Sequence, residues 1–235
     1  MSESLDKVRG VRELPVFPLP LVLFPGVPLP LHIFEERYRR MLADVRASNN
    51  LFGLSYFVSE SALEDRPPVG HVGCSTEVVE VQALPDGRSN ILTVGVARYR
   101  VLEYVERGDP YLVARVEFFE DEEEDADVVA RRAGEVTEMF MRIARAMRTI
   151  NDERGGLPEL PQDDPERLSF LVAAVVEMDA EAKQQLLELR STTERLRRLY
   201  TLLSQAVESY ETRARTHELA RGNGHAGKKI DLEEE

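Results

Sequence analysis

The spacing of apolar side chains changes near the middle of the chain. Before residue 120 they fall in short alternating runs; beyond it they recur in steps of three and four. The first pattern predicts half-buried strands and the second predicts helices. Alternating runs over 13–18, 27–34, 51–58, 77–84, 90–96, 99–105 and 111–119 predict six or seven short strands. One helix over 35–47 interrupts them, with Tyr38, Met41, Leu42 and Val45 on one face. Phe24-Pro25-Gly26, Pro85-Asp86-Gly87-Arg88 and Gly108-Asp109-Pro110 mark turns, because proline presets one turn angle and glycine accepts a positive φ. Short strands joined this way predict a small, mostly antiparallel, barrel-like lobe.

In the second half, Val129, Ala133, Val136, Phe140, Ile143, Met147 and Ile150 form a regular apolar stripe. Asp164 and Pro165 open a further helix, whose predicted buried face is Leu168, Leu171, Val172, Val175 and Val176. Asp179 caps a short helix through Leu189. Ser191-Thr192-Thr193-Glu194 reads as a capping box opening a long helix with Leu196, Leu199, Tyr200, Leu203, Val207 and Tyr210 on one face. Between the halves, residues 120–125 are all acidic, and like charges repel and stay solvated. The expected division is therefore a β-rich lobe over 1–119, an acidic linker over 120–126, a helical lobe over 127–215 and a flexible tail over 216–235.

Residues 14–34 contain no Asp, Glu, Lys or Arg, long enough to raise the question of a membrane span. Pro15, Pro18, Pro20, Pro25, Pro28 and Pro30 exclude a helix there, since each removes an amide donor that lipid cannot replace. No small-residue cleavage site follows, so the segment is not read as a signal peptide. The expectation is extended chain buried in a soluble protein, with no membrane partner.

Composition narrows the function. The chain has 235 residues, 43% of them hydrophobic, and a formal net charge of −13. Both halves are acidic: 13 Lys and Arg stand against 17 Asp and Glu up to residue 120, and 17 against 26 beyond it. Neither offers the basic face that a nucleic-acid partner requires. A single cysteine, Cys74, points to a reducing, cytoplasmic setting.

Catalytic chemistry finds little support. There are only four lysines: Lys7, Lys183, Lys228 and Lys229. Gly227-Lys228 lacks the Ser or Thr of a phosphate loop. Lys183, with Glu181, Gln184 and Gln185 beside it, reads as surface rather than as half of a Ser–Lys dyad. His32, His71, His217 and His225 show no metal-ligand spacing, and His71 lies three from Cys74, on opposite faces if both are in a strand. No cofactor or metal site is expected.

The chain resembles the Lon protease N-terminal, substrate-binding domain. The resemblance rests on Leu14-Pro15-Val16-Phe17-Pro18-Leu19, Leu23-Phe24-Pro25-Gly26, Pro30-Leu31-His32-Ile33-Phe34, Gly95-x-x-Arg98-Tyr99-Arg100-Val101, Pro110–Val116 and Lys183–Glu188, spanning roughly residues 12–210. It implies an α+β protein, a PUA-like β-barrel lobe followed by a helical bundle, standing alone without the ATPase and protease domains. It further implies non-catalytic recognition of unfolded or apolar polypeptide segments, as an adaptor or holdase in protein quality control. The alternatives are a scaffold or regulator of one folded partner, and a PUA-like ligand or RNA binder. The resemblance fixes neither the partner's identity nor an oligomeric state. Phe17, Phe24 and Phe34 on the rigid proline segment, with Arg98 and Tyr99 at strand ends, are the candidate partner-binding residues. The competing reading makes the phenylalanines core and Arg98 one half of an internal salt bridge.

Overall fold

A computed structural model describes residues 3–58, 66–153 and 155–224. The chain forms two compact units, Met1–Glu123 with Glu166–Thr192, and Glu124–Pro165 with Thr193–Glu235.

The first unit is built on β1 (Glu13–Leu19), β2 (Pro28–Ile33), β3 (Leu51–Tyr56), β4 (Val72–Ala83), β5 (Ser89–Tyr104) and β6 (Leu112–Phe119). They lie in the order β2-β5-β4-β3-β1-β6, and β5 also pairs with β6. All pairings are antiparallel except β1 with β3, where Val16–Leu19 runs parallel to Gly53–Tyr56. The expected runs 90–96 and 99–105 are one strand of 16 residues. Its first half pairs with β2 and its second with β6, which returns the sheet on itself. A register shift near Ser75 lets one strand serve both halves. There Ser75 Oγ donates to the Ala97 carbonyl at 2.9 Å and accepts from the Ala97 N–H at 3.2 Å. The side chain thus replaces ladder bonds lost at the bulge.

Tyr99 fills the interior. Its ring covers Gly53 and Gly73, where any Cβ would lie 2.5 Å from the hydroxyl. Its hydroxyl bonds Ser55 Oγ at 2.8 Å, so the buried polar tip is satisfied. Around it pack Val8, Leu14, Val16, Val96, Val101, Ala114 and Val116, with Leu5 of α1 (Glu3–Lys7) against them. A second cluster joins Phe17, Ile33, Phe52, Val78 and Ile91 to α2 (Glu36–Arg46) through Tyr38, Met41, Leu42 and Val45, the helical face read from the sequence.

α4 (Pro165–Val175) and α5 (Ala180–Glu188) belong to this unit and not to the helical one, which corrects the expected single helical region over 127–215. Long-range polar contacts hold them. Gln184 Nε2 donates to the Val72 carbonyl at 2.9 Å, and the Tyr56 hydroxyl donates to Glu181 at 2.6 Å. Phe170 packs 6.0 Å from Phe24. α5 opens as predicted, with Asp179 accepting from the Ala182 N–H. Lys183 is half-buried rather than surface: it donates to the Ala174 carbonyl at 2.7 Å, serving one of the last carbonyls of α4. Within α4, Leu168 and Val172 are buried as expected and Phe170 and Ala173 join them, while Val175 is exposed.

The acidic run is exposed over residues 122–125, yet three of its carboxylates also take structural partners. Asp121 is buried and accepts from Arg98 and Thr192. Glu124 accepts from the Thr193 N–H, and Asp125 caps α3 (Ala126–Ile150) by accepting from Asp127 and Val128. Carboxylates at helix N-termini meet unpaired amides and the positive end of the helix dipole, which offsets their mutual repulsion.

The second unit pairs α3 with α6 (Thr192–Gly224). Arg142 meets Glu211, and Asp152 meets Arg221, pairs separated by the same sequence distance, so the helices run in the same direction. Ala133, Val136, Met139, Ile143 and Ala146 on α3, and Leu196, Leu199, Leu203 and Val207 on α6, are buried. α6 extends through residue 224, past the expected start of the tail at 216; residues 225–235 lie outside the described ones.

Candidate polypeptide-binding surface

Among the described residues β2 pairs only with β5, which leaves one of its sides open to them. The Gly95 N–H donates to the Val27 carbonyl at 3.0 Å. Alternate residues of an antiparallel ladder face the partner, which turns the backbone groups of Leu29, Leu31 and Ile33 toward β5 and those of Pro28, Pro30 and His32 toward the open edge. Two of the three outward positions are proline and carry no N–H. An incoming strand finds few donors there, so this edge resists strand addition and its side chains are what it offers a partner.

Those side chains form an apolar surface. Pro28 stands opposite Val94, Pro30 opposite Leu92, and His32 opposite Asn90. Pro28, Pro30 and His32 are exposed, and Leu92 and Val94 are half-buried. Phe34, 60% exposed, follows the strand with its ring stacked 5.9 Å from His32. His32 Nδ1 lies 2.7 Å from Asn90 Oδ1, and Asn90 Nδ2 donates to Gln82 Oε1 at 3.3 Å. This chain of contacts fixes the imidazole beneath the Phe34 ring. On the far side, β4 places Glu77, Glu80 and Gln82 opposite Val94, Leu92 and Asn90. Glu77 is paired with Lys7, while Glu80 makes no ion pair among the described residues. The surface is therefore apolar along β2 and β5 with an acidic border, a match for peptides that are apolar and basic.

Of the residues singled out from the sequence, Phe34 alone is at the surface. Phe17 is buried, its ring 3.9 Å from Tyr38 and 6.3 Å from Phe52. Phe24 is fully buried, as is Tyr99. Arg98, 2% exposed, donates to Asp121 and to the Leu187 and Leu189 carbonyls, and stacks over Phe119 at 4.7 Å and Phe170 at 5.2 Å. It thus ties the end of α5 to the sheet, the internal salt-bridge role. Phe24 and Arg98 meet through Phe170; the five do not form one site. Pro28, Pro30, His32, Leu92 and Val94 went unnoticed as surface residues, although the alternation Pro-Leu-Pro-Leu-His already separates their face from that of Leu29 and Leu31.

Among the described residues the thiol and imidazole singled out from the sequence are not brought together as a catalytic pair. Burial pushes the Cys74 thiol up to about 12, so it is no nucleophile at neutral pH. Burial lowers the His71 pKa, and the Cys74 thiol donates to the Ser75 carbonyl at 3.4 Å rather than to His71. Among the described residues no group of three or more His, Cys, Asp and Glu is placed to hold a metal ion, and no helix is long and apolar enough to cross a membrane.

Comparison with known proteins places this arrangement. Residues 13–205 match the family model of the ATP-dependent protease La (LON) substrate-binding domain. Lon protease 2 of Herpetosiphon aurantiacus is 29% identical over 213 residues, covering 89% of this chain and 26% of its own length. Lon protease of Dictyoglomus thermophilum is 25% identical, with 89% and 26% covered. The chain thus spans about a quarter of the length of these curated relatives. A Lon N-terminal domain protein from Xanthomonas campestris shares the fold at TM-score 0.60 and 21% identity, with 81% of this chain and 98% of that one covered. The N-terminal domain of Mycobacterium avium complex Lon protease does so at TM-score 0.63 and 18% identity, with 82% and 98% covered. With its α+β sheet-and-helix architecture and a family match covering most of its length, the chain belongs to the Lon substrate-binding domain family.

Proposed function

We propose that this protein is a non-catalytic polypeptide-recognition module that engages apolar, preferably basic, unfolded segments on the β2–β5 face, as an adaptor or holdase in protein quality control. The observation that carries the reading is the exposed strip of Pro28, Pro30 and Phe34 beside Leu92 and Val94, with Glu80 on its border. Family membership supports polypeptide as the ligand class. The returning sheet, closed by the β5–β6 pairing, supports a PUA-like barrel. The net charge of −13 and the buried single thiol fit a cytoplasmic protein with no nucleic-acid partner.

Fluorescence anisotropy with a panel of labelled unfolded peptides tests the proposal. Micromolar, sequence-tolerant binding is expected, stronger for basic than for acidic apolar peptides. Phe34→Ser should weaken it about tenfold, the loss of part of a buried aromatic side chain. Moderate salt should change it little, because screening acts on charge and not on buried area. No binding at about 100 μM to any peptide would overturn the proposal.

A further inference from the structure

The second unit carries a basic groove in an acidic protein. It lies between α3 and α6, has a volume of about 340 Å³, and is lined by Arg142, Arg145, Thr149, Glu211 and Arg215 over a floor of Ala146 and Ala214. Three guanidiniums and one carboxylate give the lining a charge of +2, in a chain of −13.

Two of the three guanidiniums are not consumed by the fold. Arg142 is held in place by Glu211, Nε to Oε1 at 2.8 Å and Nη2 to Oε2 at 3.0 Å. Its third nitrogen, Nη1, finds only the Met139 sulfur, at 3.8 Å. Arg145 makes no hydrogen bond or ion pair among the described residues, and Arg215 makes only a 3.5 Å contact to Thr212 Oγ1. The Thr149 hydroxyl is likewise without a partner among them.

The helix dipole favours cations in the last turn of α3, where Arg148 sits, and does not reach back to Arg142 and Arg145. It does not account for like charges three apart, nor for a third brought alongside from α6. An arrangement with many N–H donors, one fixed fork and a single acceptor is complementary to an anion. A lining of +2 balances a dianion better than a monocarboxylate, and Glu211 already satisfies one guanidinium with a carboxylate. Arginine forks with a hydroxyl are suited to tetrahedral phosphate oxygens, and the volume is that of a small-molecule site.

We propose that the groove between α3 and α6 binds the phosphate group of a small anionic compound. Isothermal titration of the full chain with inorganic pyrophosphate, alongside acetate, at about 150 mM salt provides the test. One-to-one binding with a Kd of about 1 mM or tighter is expected, with acetate silent. Arg145→Gln with Arg215→Gln should weaken binding at least about tenfold and leave the melting temperature unchanged, since both side chains are exposed. If the double variant melts early, Arg145→Gln alone is read in its place, with the same direction expected. No binding at about 10 mM, binding unaltered in the variants, or equal binding of acetate would overturn the proposal.

Discussion

The two units reach stability by different routes. In the first, the decisive contacts join residues far apart in sequence: Tyr99 lies over Gly53 and Gly73, and Arg98 reaches Asp121, Leu187 and Leu189. In the second, two helices carry their own apolar stripes, and the ion pairs Arg142 with Glu211 and Arg221 with Asp152 lie at half-exposed or exposed positions. Exposed ion pairs are worth little, so apart from the fully buried Arg195 the helical unit depends on periodicity and caps, whereas the sheet unit depends on a few interior side chains. Removing one interior partner should therefore harm the first unit far more than any surface change harms the second.

The largest effect is expected at Arg98. Arg98→Ala removes a cation from buried Asp121 and a donor from the carbonyls at the end of α5. A loss of about 3–5 kcal/mol follows from breaking a buried pair on one side. Urea unfolding measures it, and amide exchange locates it. Protection should fall in α4, α5 and β6 while α3 and α6 keep theirs; equal loss in all helices would show that the contrast between units does not survive in solution.

A pair of glycine substitutions sharpens the contrast. In Gly73→Ala the new Cβ would sit 2.5 Å from the Tyr99 ring and 2.6 Å from the Leu54 carbonyl oxygen. Backbone cannot retreat as a side chain can, so a cost of about 1–3 kcal/mol is expected, seen as a lower melting temperature. Gly134, inside α3, has nothing within 4 Å of its would-be Cβ. Gly134→Ala should raise stability by about 1 kcal/mol, because alanine loses less backbone entropy on entering a helix. Destabilisation at both sites would show that residue 134 is covered in solution.

The smallest effect concerns pH. The Arg197 and Arg198 guanidiniums hold the Glu194 carboxyl down from its ordinary 4.5 to about 2. A depressed carboxyl contributes stability above pH 4.5 and loses it as the pH falls from 4.5 toward 2. The pair is partly solvated, so Glu194→Gln should lower stability at pH 7 by less than about 1 kcal/mol and flatten the acid limb slightly. Melting curves between pH 7 and 3 give the comparison, and an acid limb identical to that of the parent would remove Glu194 from the account.

Local signals in the sequence predicted what local physics controls. Helix faces followed from spacing: Tyr38, Met41, Leu42 and Val45 on α2, and Ala133, Val136 and Ile143 on α3, where Met139 and Ala146 are buried and the expected Met147 is exposed. The Asp179 cap was legible because its hydrogen bond closes over three residues. Pro165 at the start of α4 was legible for the same local reason. The parity of β2 was present in Pro-Leu-Pro-Leu-His, so the surface strip could be read once a partner strand was known. Arg98 carried no such signal. A guanidinium at a strand position looks the same whether it meets solvent or the end of a helix 89 residues away.

Amphipathic spacing, caps and proline therefore determined which segments become strands or helices and which side chains face inward, since those energies act within a few residues. Only the tertiary structure decided that 89–104 is one strand serving two ladders, that α4 and α5 join the sheet rather than the other helices, and that the acidic run is partly an anchor. Strand pairing, buried charge and exposed apolar area depend on residues brought together from distant parts of the chain. An apolar pattern says that a side chain must be buried; it does not say against what.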